Sequence, residues 1–248
     1  MLEPVYDGRF VLNCLFGGSP CRFLIDTGAE RSRIGNAIIR GLKLCKGYEG
    51  NSYFFYGEMK AAGQFMKSPD FFLEDENFNL EVVNAPFIKC GKEPISGLIG
   101  IDYLSKIPFT LDNRNNDSRG CLNGTLGITF NQELHVEIDG KDMPFIHAEI
   151  DGDENVLLLD TGANCSSLQY EKEAWGAEPL NEPIGRPIPC EQEEIRITPN
   201  PIPVIFTNSI NSAARFCISR NERQLLGMNA FKNHAIHYNG RENYYIAN

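Results

Sequence analysis

The chain has 248 residues, and its 33 acidic side chains outnumber its 23 basic ones, which gives a net charge of −10. Hydrophobic residues make up 42% of the sequence and charged residues 23%, proportions that exclude a disordered, collagen-like or coiled-coil chain. An acidic chain repels phosphate backbones, and no apolar run approaches the roughly 20 residues that span a bilayer, so we expect no nucleic-acid partner and no membrane span.

The N-terminus and the cysteines bear on the compartment. The first ten residues lack a basic region followed by an apolar one, so we predict no signal peptide. This favours the cytoplasm, with a secreted mature form as the alternative. The eight cysteines are scattered and contain no CxxC pair, which argues against a zinc site of that type. We predict that most are buried thiols, and disulfides remain the alternative.

The first half of the chain begins with a predicted β-hairpin. Two apolar runs, separated by a Gly-Gly turn, occupy residues 10–25 and end at Asp26, which Thr27 and Gly28 follow. A short helix is expected near 34–42, and a second aromatic hairpin near Tyr53–Tyr56. Further along, the segment Leu98-Ile99-Gly100 precedes another expected short helix.

The second half repeats this order. Residues 145–159 again form two apolar runs around a Gly-containing turn, and they end at Asp160, which Thr161 and Gly162 follow. The segment Leu225-Leu226-Gly227 matches Leu98-Ile99-Gly100 in type and in approximate spacing. A shared order of this length indicates a duplicated unit.

The remaining segments are short runs rich in Val, Ile, Phe and Tyr between Gly, Pro, Asn and Asp turns, which predicts an all-β protein. The polar stretch 113–124 separates the repeats, so we predict one unit over 1–125 and a second over 126–248. The proline-rich segment 179–203 is expected to be a loop or sheet edge of the second unit.

Two Asp-Thr-Gly tripeptides in matched positions indicate a specific chemistry. Two aspartates brought together cannot both ionise, because their like charges repel, so the pair holds one proton over a wide pH range. One carboxylate can then take a proton from water while the other carboxyl gives one to a carbonyl oxygen. Glycine permits the close approach of the two loops, and threonine can join them by hydrogen bonds.

These motifs resemble those of the aspartic proteases of the pepsin and retropepsin clan. The matching segments are Asp26-Thr-Gly-Ala29, Asp160-Thr-Gly-Ala163 and the two apolar-apolar-Gly segments, and the resemblance covers both halves. It implies a bilobal fold of two pseudo-twofold-related β-barrel lobes, in which the apolar-apolar-Gly segments brace the catalytic loops. Two lobes in one chain look pepsin-like, whereas their shortness looks like a fused retropepsin dimer.

The resemblance also implies an activity: an aspartic endopeptidase in which Asp26 and Asp160 activate a water molecule. Thr27, Gly28, Thr161 and Gly162 would brace the loops, and Tyr56 and Gly57 resemble the tip of the flap that covers the substrate. The second half shows no obvious counterpart of this flap. We expect a monomer that acts on a peptide or protein substrate without a metal or other cofactor. The alternatives are a catalytically silent peptide-binding module on the same fold and a processing enzyme that a partner recruits.

One departure from the family pattern affects the expected pH optimum, and four other residues are considered for the site and set aside. Ala29 and Ala163 stand where pepsins have a serine or threonine, which removes a hydrogen-bond donor to the ionised aspartate and predicts a pH optimum less acidic than that of pepsin. His234 and His237 are spaced for a metal, but no Asp, Glu or Cys partner is evident nearby, and we expect structural roles for them. Asp102 and Asp112 are expected to brace loops rather than to catalyse.

Overall fold

The computed structural model describes residues 1–4, 8–16, 19–35, 46–54, 57–67, 79–83, 89–90, 93–114, 118–179, 196–207, 210–218 and 223–248. Most of the regular structure is β, as the sequence predicts, and Val, Ile, Leu and Phe are frequent on the buried strand faces. Among the described residues, no helix has the length and apolar character that crossing a membrane requires.

The elements of the first half are β1 (Glu3–Pro4), β2 (Phe10–Phe16), β3 (Ser19–Ile25), β4 (Arg33–Gly35), β5 (Lys46–Phe54), β6 (Gly57–Lys67), β7 (Asn79–Val83), β8 (Lys89–Cys90), β9 (Glu93–Pro94), β10 (Gly97–Ile99), α1 (Ile101–Leu104), β11 (Phe109–Asp112) and β12 (Arg119–Leu122). Those of the second half are β13 (Gln132–Glu133), β14 (Val136–Ile138), β15 (Pro144–Ile150), β16 (Asp153–Leu159), β17 (Ser166–Leu168), β18 (Glu178–Pro179), β19 (Arg196–Ile197), β20 (Ile202–Thr207), β21 (Ile210–Ala214), β22 (Phe216–Ile218), β23 (Leu225–Leu226), β24 (Ala235–Tyr238) and β25 (Tyr244–Ala247), with 3₁₀ turns at Glu173–Trp175 and Met228–Phe231.

Each half forms its own sheet, and the two sheets share a strand order. The first runs β1-β2-β3-β10-β4-β7-β6-β5, and the second runs β18-β19-β22-β17-β23-β16-β15-β20-β21, with β14 also paired to β15. Read outward from the central parallel pair, β3-β10-β4-β7-β6-β5 corresponds to β16-β23-β17-β22-β19-β18, with the same parallel and antiparallel pairings throughout. The duplication inferred from the motifs therefore extends to the topology.

A third sheet joins the two halves. Its order is β12-β11-β24-β25-β13, so strands from the first half pair directly with strands near the C-terminus. All four residues of β11 are buried, which explains its apolar Phe109 and Leu111. The main hydrophobic core likewise contains residues from both halves, among them Phe10 and Phe216.

The hairpins predicted before each aspartate are confirmed. β2 pairs with β3, and β15 pairs with β16, in antiparallel register. In β15, alternate residues such as Ile146 and Ala148 are buried, while those between them are partly exposed, so one face of the hairpin packs on the core. Of the three expected helices, two are short turns at Ile101–Leu104 and Met228–Phe231; Ile34 and Gly35 belong instead to β4, and residues 36–45 lie outside the described residues.

The five cysteines with described side chains are thiols, as predicted, rather than disulfides: Cys14, Cys21, Cys121, Cys165 and Cys217. Cys14 lies opposite Cys21 in the first hairpin, and burial, with the neighbouring Cys21 adding to it, raises the pKa of Cys14 to about 12. The sulfur atoms of Cys165 and Cys217 lie 2.7 Å apart in the second half.

Candidate active site

Two matched strand ends position the aspartates. Asp26 directly follows β3, and its backbone N–H donates to the carbonyl of Ile99 in β10 at 3.0 Å. Asp160 directly follows β16, and its N–H donates to the carbonyl of Leu226 in β23, also at 3.0 Å. Because each aspartate is held by the strand parallel to its own, the apolar-apolar-Gly segments fix the position where each loop begins.

The two loops face each other across a very small gap, and the glycines show how small it is. A Cβ atom added to Gly28 would lie 2.3 Å from Cγ of Asp160, and one added to Gly162 would lie 2.3 Å from Cγ of Asp26. The structure thus brings the carboxyl groups of Asp26 and Asp160 together, and they share a side-chain hydrogen bond. Any residue larger than glycine at either position would collide with the carboxyl of the opposite loop.

The threonines join the loops by four reciprocal hydrogen bonds. The N–H of Thr27 donates to Oγ1 of Thr161 at 3.1 Å, and the N–H of Thr161 donates to Oγ1 of Thr27 at 3.1 Å. The hydroxyl of Thr27 donates to the carbonyl of Leu159 at 2.5 Å, and that of Thr161 donates to the carbonyl of Ile25 at 2.9 Å. Both threonines are buried, so these bonds are shielded from competition with water.

A second pair of matched contacts supports each loop from behind. In the first half, Oδ1 of Asp102 accepts hydrogen bonds from the N–H and the hydroxyl of Ser32, and the same hydroxyl accepts the N–H of Gly100. In the second half, Asn229, Ser166 and Gly227 make the same three contacts. Asp102 therefore braces a loop, as the sequence predicts.

The serines of this brace were not identified from the sequence. Each lies six residues after its aspartate, and that equal spacing in the two repeats is the signal that could have found them. Arg9 was also missed as a site residue: its guanidinium, which is buried, donates to the carbonyl of Gly162 at 3.0 Å. Because 153 residues separate the two partners, no local pattern connects them.

The pKa values of the two aspartates are shifted in a way that distinguishes them. Burial, the neighbouring charge of Asp160 and the shared hydrogen bond raise the pKa of Asp26 well above its usual value, although the charge of Arg33 and the N–H of Gly28 act in the opposite direction. Burial also raises the pKa of Asp160, but its Oδ1 accepts the N–H groups of Gly162 at 2.9 Å and Ala163 at 3.0 Å, which favour its ionised form. The two N–H donors on Oδ1 of Asp160 favour this aspartate as the one that carries the negative charge.

One oxygen of Asp26 has no hydrogen-bond partner among the described residues. Its Oδ1 is buried and lacks a hydrogen bond within the part of the chain that the structure describes. Both aspartate residues nevertheless keep partial solvent exposure. A buried carboxyl oxygen without a partner is costly unless a water or a substrate group occupies it.

The predicted flap is only partly described. Gly57 begins β6 and lies opposite Phe54 of β5 in an antiparallel hairpin, while Tyr56 lies outside the described residues. In the second half β18 and β19 pair at the equivalent edge of the sheet, but residues 180–195 between them lie outside the described residues, so the expectation of no second flap stays a prediction. The sequence hid this pair because its described strands are only two residues long and one of them ends in proline.

No protein-family model matches the chain, and no curated protein sequence matches it at significant similarity. Assignment of a function therefore rests on the motifs and on the geometry around Asp26 and Asp160.

Proposed function

We propose that the protein is an aspartic endopeptidase with the bilobal fold of the pepsin and retropepsin clan, its lobes corresponding to residues 1–125 and 126–248. The proposal rests mainly on the close approach of the two Asp-Thr-Gly loops. A Cβ atom added to Gly28 or to Gly162 would lie 2.3 Å from Cγ of the aspartate in the opposite loop. The matched strand orders and the third sheet shared between the halves support the fold. The threonine cross-links support the rigidity that such a pair needs.

The mechanism follows from the two protonation states. Asp160, ionised, takes a proton from a water molecule held between the carboxyls, and the water oxygen attacks the scissile carbonyl carbon. Asp26 gives its proton to the carbonyl oxygen, which yields a neutral tetrahedral diol. In the second step Asp160 returns its proton to the amide nitrogen as the C–N bond breaks, and Asp26 takes a proton back from the diol. All atoms balance without a covalent intermediate.

The substrate would be a peptide or a protein segment in an extended conformation. A strand-like segment can add its backbone hydrogen bonds to a neighbouring hairpin, and the β5–β6 hairpin is the candidate for that role. The proposed reaction requires no further charged side chain, because the two carboxyls provide both the acid and the base.

Cleavage of a peptide library, with and without pepstatin, tests the proposal. Asp26→Asn and Asp160→Asn should each lower turnover by about 10²–10⁴-fold, the range that a positioned acid or base contributes. Asp142→Asn is the matched control, because Asp142 is exposed and its φ of +63° suits asparagine. Turnover that persists in both site variants would refute the dyad, and binding of peptides without any cleavage would favour the silent peptide-binding module.

The pH profile gives an independent test. Catalysis requires one protonated and one ionised carboxyl, and the pKa values of both Asp26 and Asp160 are raised, chiefly by burial. The pH range of activity should therefore lie higher than in an enzyme whose ionised aspartate accepts an additional hydrogen bond from a hydroxyl group. A rate maximum near pH 2 would contradict this expectation.

A further inference from the structure

Two of the four histidines of the chain lie side by side on the outer face of the second sheet, far along the chain from the two expected to be structural. His135 directly precedes β14 and His147 lies in β15, and the N–H of His147 donates to the carbonyl of His135 at 2.9 Å. Their rings stack with centroids 3.9 Å apart and planes 12° from parallel. Neither residue belongs to the site around Asp26 and Asp160.

A carboxylate completes this group. Glu137 lies two residues after His135, which places both side chains on the same face of the strand, and its Oε1 lies 2.8 Å from Nε2 of His147. One nitrogen from each histidine and one carboxylate oxygen all lie within 4.8 Å of one another. We refer to His135, Glu137 and His147 as the outer-face triad.

We infer that the outer-face triad binds a divalent transition-metal ion of the zinc type, a function separate from the proposed proteolysis. Two imidazoles and one carboxylate are a donor set that Zn²⁺ uses with three protein ligands and one open position. The same nitrogens also suit Cu²⁺ and Ni²⁺, whereas Mg²⁺ and Ca²⁺ prefer a site made of oxygens.

A metal-bound geometry requires rotation of the three side chains, which opens the stacked rings and lengthens the 2.8 Å contact between His147 and Glu137. In a tetrahedral zinc site with bonds of about 2.0–2.2 Å, neighbouring ligand atoms are roughly 3.3–3.6 Å apart. The triad atoms are already within 4.8 Å, and rotation of exposed side chains can close the remaining distance. His135 and Glu137 are exposed, and His147 is partly exposed, so an ion can reach all three.

The backbone beneath the triad is already fixed. β14 and β15 pair in register, with Val136 opposite Ile146 and Glu137 opposite Phe145. Ile146 is fully buried, which anchors the strand and turns His147 to the outside. The chain entropy that a metal site usually has to overcome is therefore mostly lost on folding, before any ion binds.

The sequence concealed this group for a clear reason. His147 lies ten residues after Glu137, and only the antiparallel register brings them together. A His-x-Glu pair in an exposed strand is a weak signal by itself. The expectation of no metal site considered the absence of a CxxC pair and the spacing of His234 and His237, which are both buried, but not His135 and His147.

Calorimetric titration of the metal-stripped full-length protein with Zn²⁺ tests the inference, with Co²⁺ as a spectroscopic probe of a four-coordinate site. We expect one saturable site, a visible Co²⁺ absorption band, and a rise in the thermal midpoint with Zn²⁺. His135→Ala and His147→Ala should each weaken binding by about 100-fold or more, and Glu137→Gln by about 10-fold. The side chains are exposed or partly exposed, so the variants should keep the wild-type circular dichroism.

Glu154→Gln is the matched control, since it removes the same charge from an exposed position on the same face, two strands away from Glu137. It should leave the affinity within about twofold, because a charge outside the ligand set contributes only a screened interaction. Absence of a saturable site in the wild-type protein, or an affinity equal to that of the wild type in both histidine variants, would overturn the inference. Peptidase activity is not a readout here, so this result and that of the proposed function are independent.

Discussion

Removing the hydroxyl of Thr27 tests the joint between the two loops without touching either carboxyl. Thr27→Val keeps the volume and the branched shape of the side chain, so it creates almost no cavity. It does leave two buried groups unpaired: the carbonyl of Leu159, which the hydroxyl reaches at 2.5 Å, and the N–H of Thr161, which donates to it at 3.1 Å. Thr27 is fully buried, so water cannot replace these bonds.

The size of the effect follows from those two groups. Each buried donor or acceptor left without a partner costs about 1–3 kcal/mol, so Thr27→Val should lower the free energy of unfolding by about 2–6 kcal/mol. For a chain of this length, the thermal midpoint falls by roughly 2–4 °C per kcal/mol, which gives a decrease of roughly 4–24 °C. Calorimetry and urea unfolding both measure it. Thr161→Val should behave alike, because its hydroxyl contacts the carbonyl of Ile25 and the N–H of Thr27 in the same way.

Thr27→Ser is the matched control for this prediction. Serine keeps the hydroxyl and loses one methyl group, so its cost should be about 1 kcal/mol from lost apolar burial. A Thr27→Val variant that is no less stable than Thr27→Ser would refute the reasoning, because the hydrogen bonds would then contribute nothing across the joint.

Three further predictions concern the same loops. Asp102→Asn should change the free energy of unfolding by no more than about 1 kcal/mol, because Asn229 accepts the equivalent hydrogen bonds in the second half. Asp102→Ala should lower the free energy of unfolding by about 2–4 kcal/mol, because it leaves the donors of Ser32 unpaired. Equal urea midpoints for the two variants would contradict this prediction. Gly28→Ala should abolish peptide cleavage and destabilise the fold, since its Cβ would lie 2.3 Å from the opposite carboxyl carbon, while Gly140→Ala, whose Cβ would meet no atom within 4 Å, should change neither. Asp26→Asn should be more stable than the wild type at pH 7. A carboxyl whose pKa is raised on folding stabilises the fold below its unfolded pKa of about 3.9, and this stabilisation is lost as the pH rises through its folded pKa. The difference in stability between Asp26→Asn and the wild type should therefore shrink in acid, and a pH-independent difference in urea unfolding would refute this prediction.

Local patterns made much of the fold predictable. The hairpins before Asp26 and Asp160 follow from alternating apolar residues around glycine turns. Predicting them needs only the local sequence, because each pairs two consecutive strands. The all-β class follows from the same short runs and from the scarcity of helical periodicity. The short helical turn after Gly100 was also expected, because a β-strand residue pattern stops there.

Long-range register made the rest unpredictable. The β18–β19 pair has described strands of only two residues, too short to show any period, and its place is defined by pairing with β22. The contact of Arg9 with Gly162 and the outer-face triad depend in the same way on how distant strands align. Motifs therefore located the aspartates and the threonines and glycines that brace them, whereas the contact of Arg9 and the outer-face triad emerged only from the folded arrangement.

Duplication within one chain also allows the two aspartates to differ. Two identical subunits would give both carboxyls the same neighbours, apart from the position of the shared proton. Here a different arginine lowers the pKa of each aspartate, Arg33 for Asp26 and Arg9 for Asp160, and Arg9 also donates to the carbonyl of Gly162. Oδ1 of Asp160 also accepts two N–H groups, from Gly162 and Ala163, and this favours the ionised form of Asp160 over that of Asp26. Under the proposed function, that asymmetry assigns the base and the acid before any substrate binds.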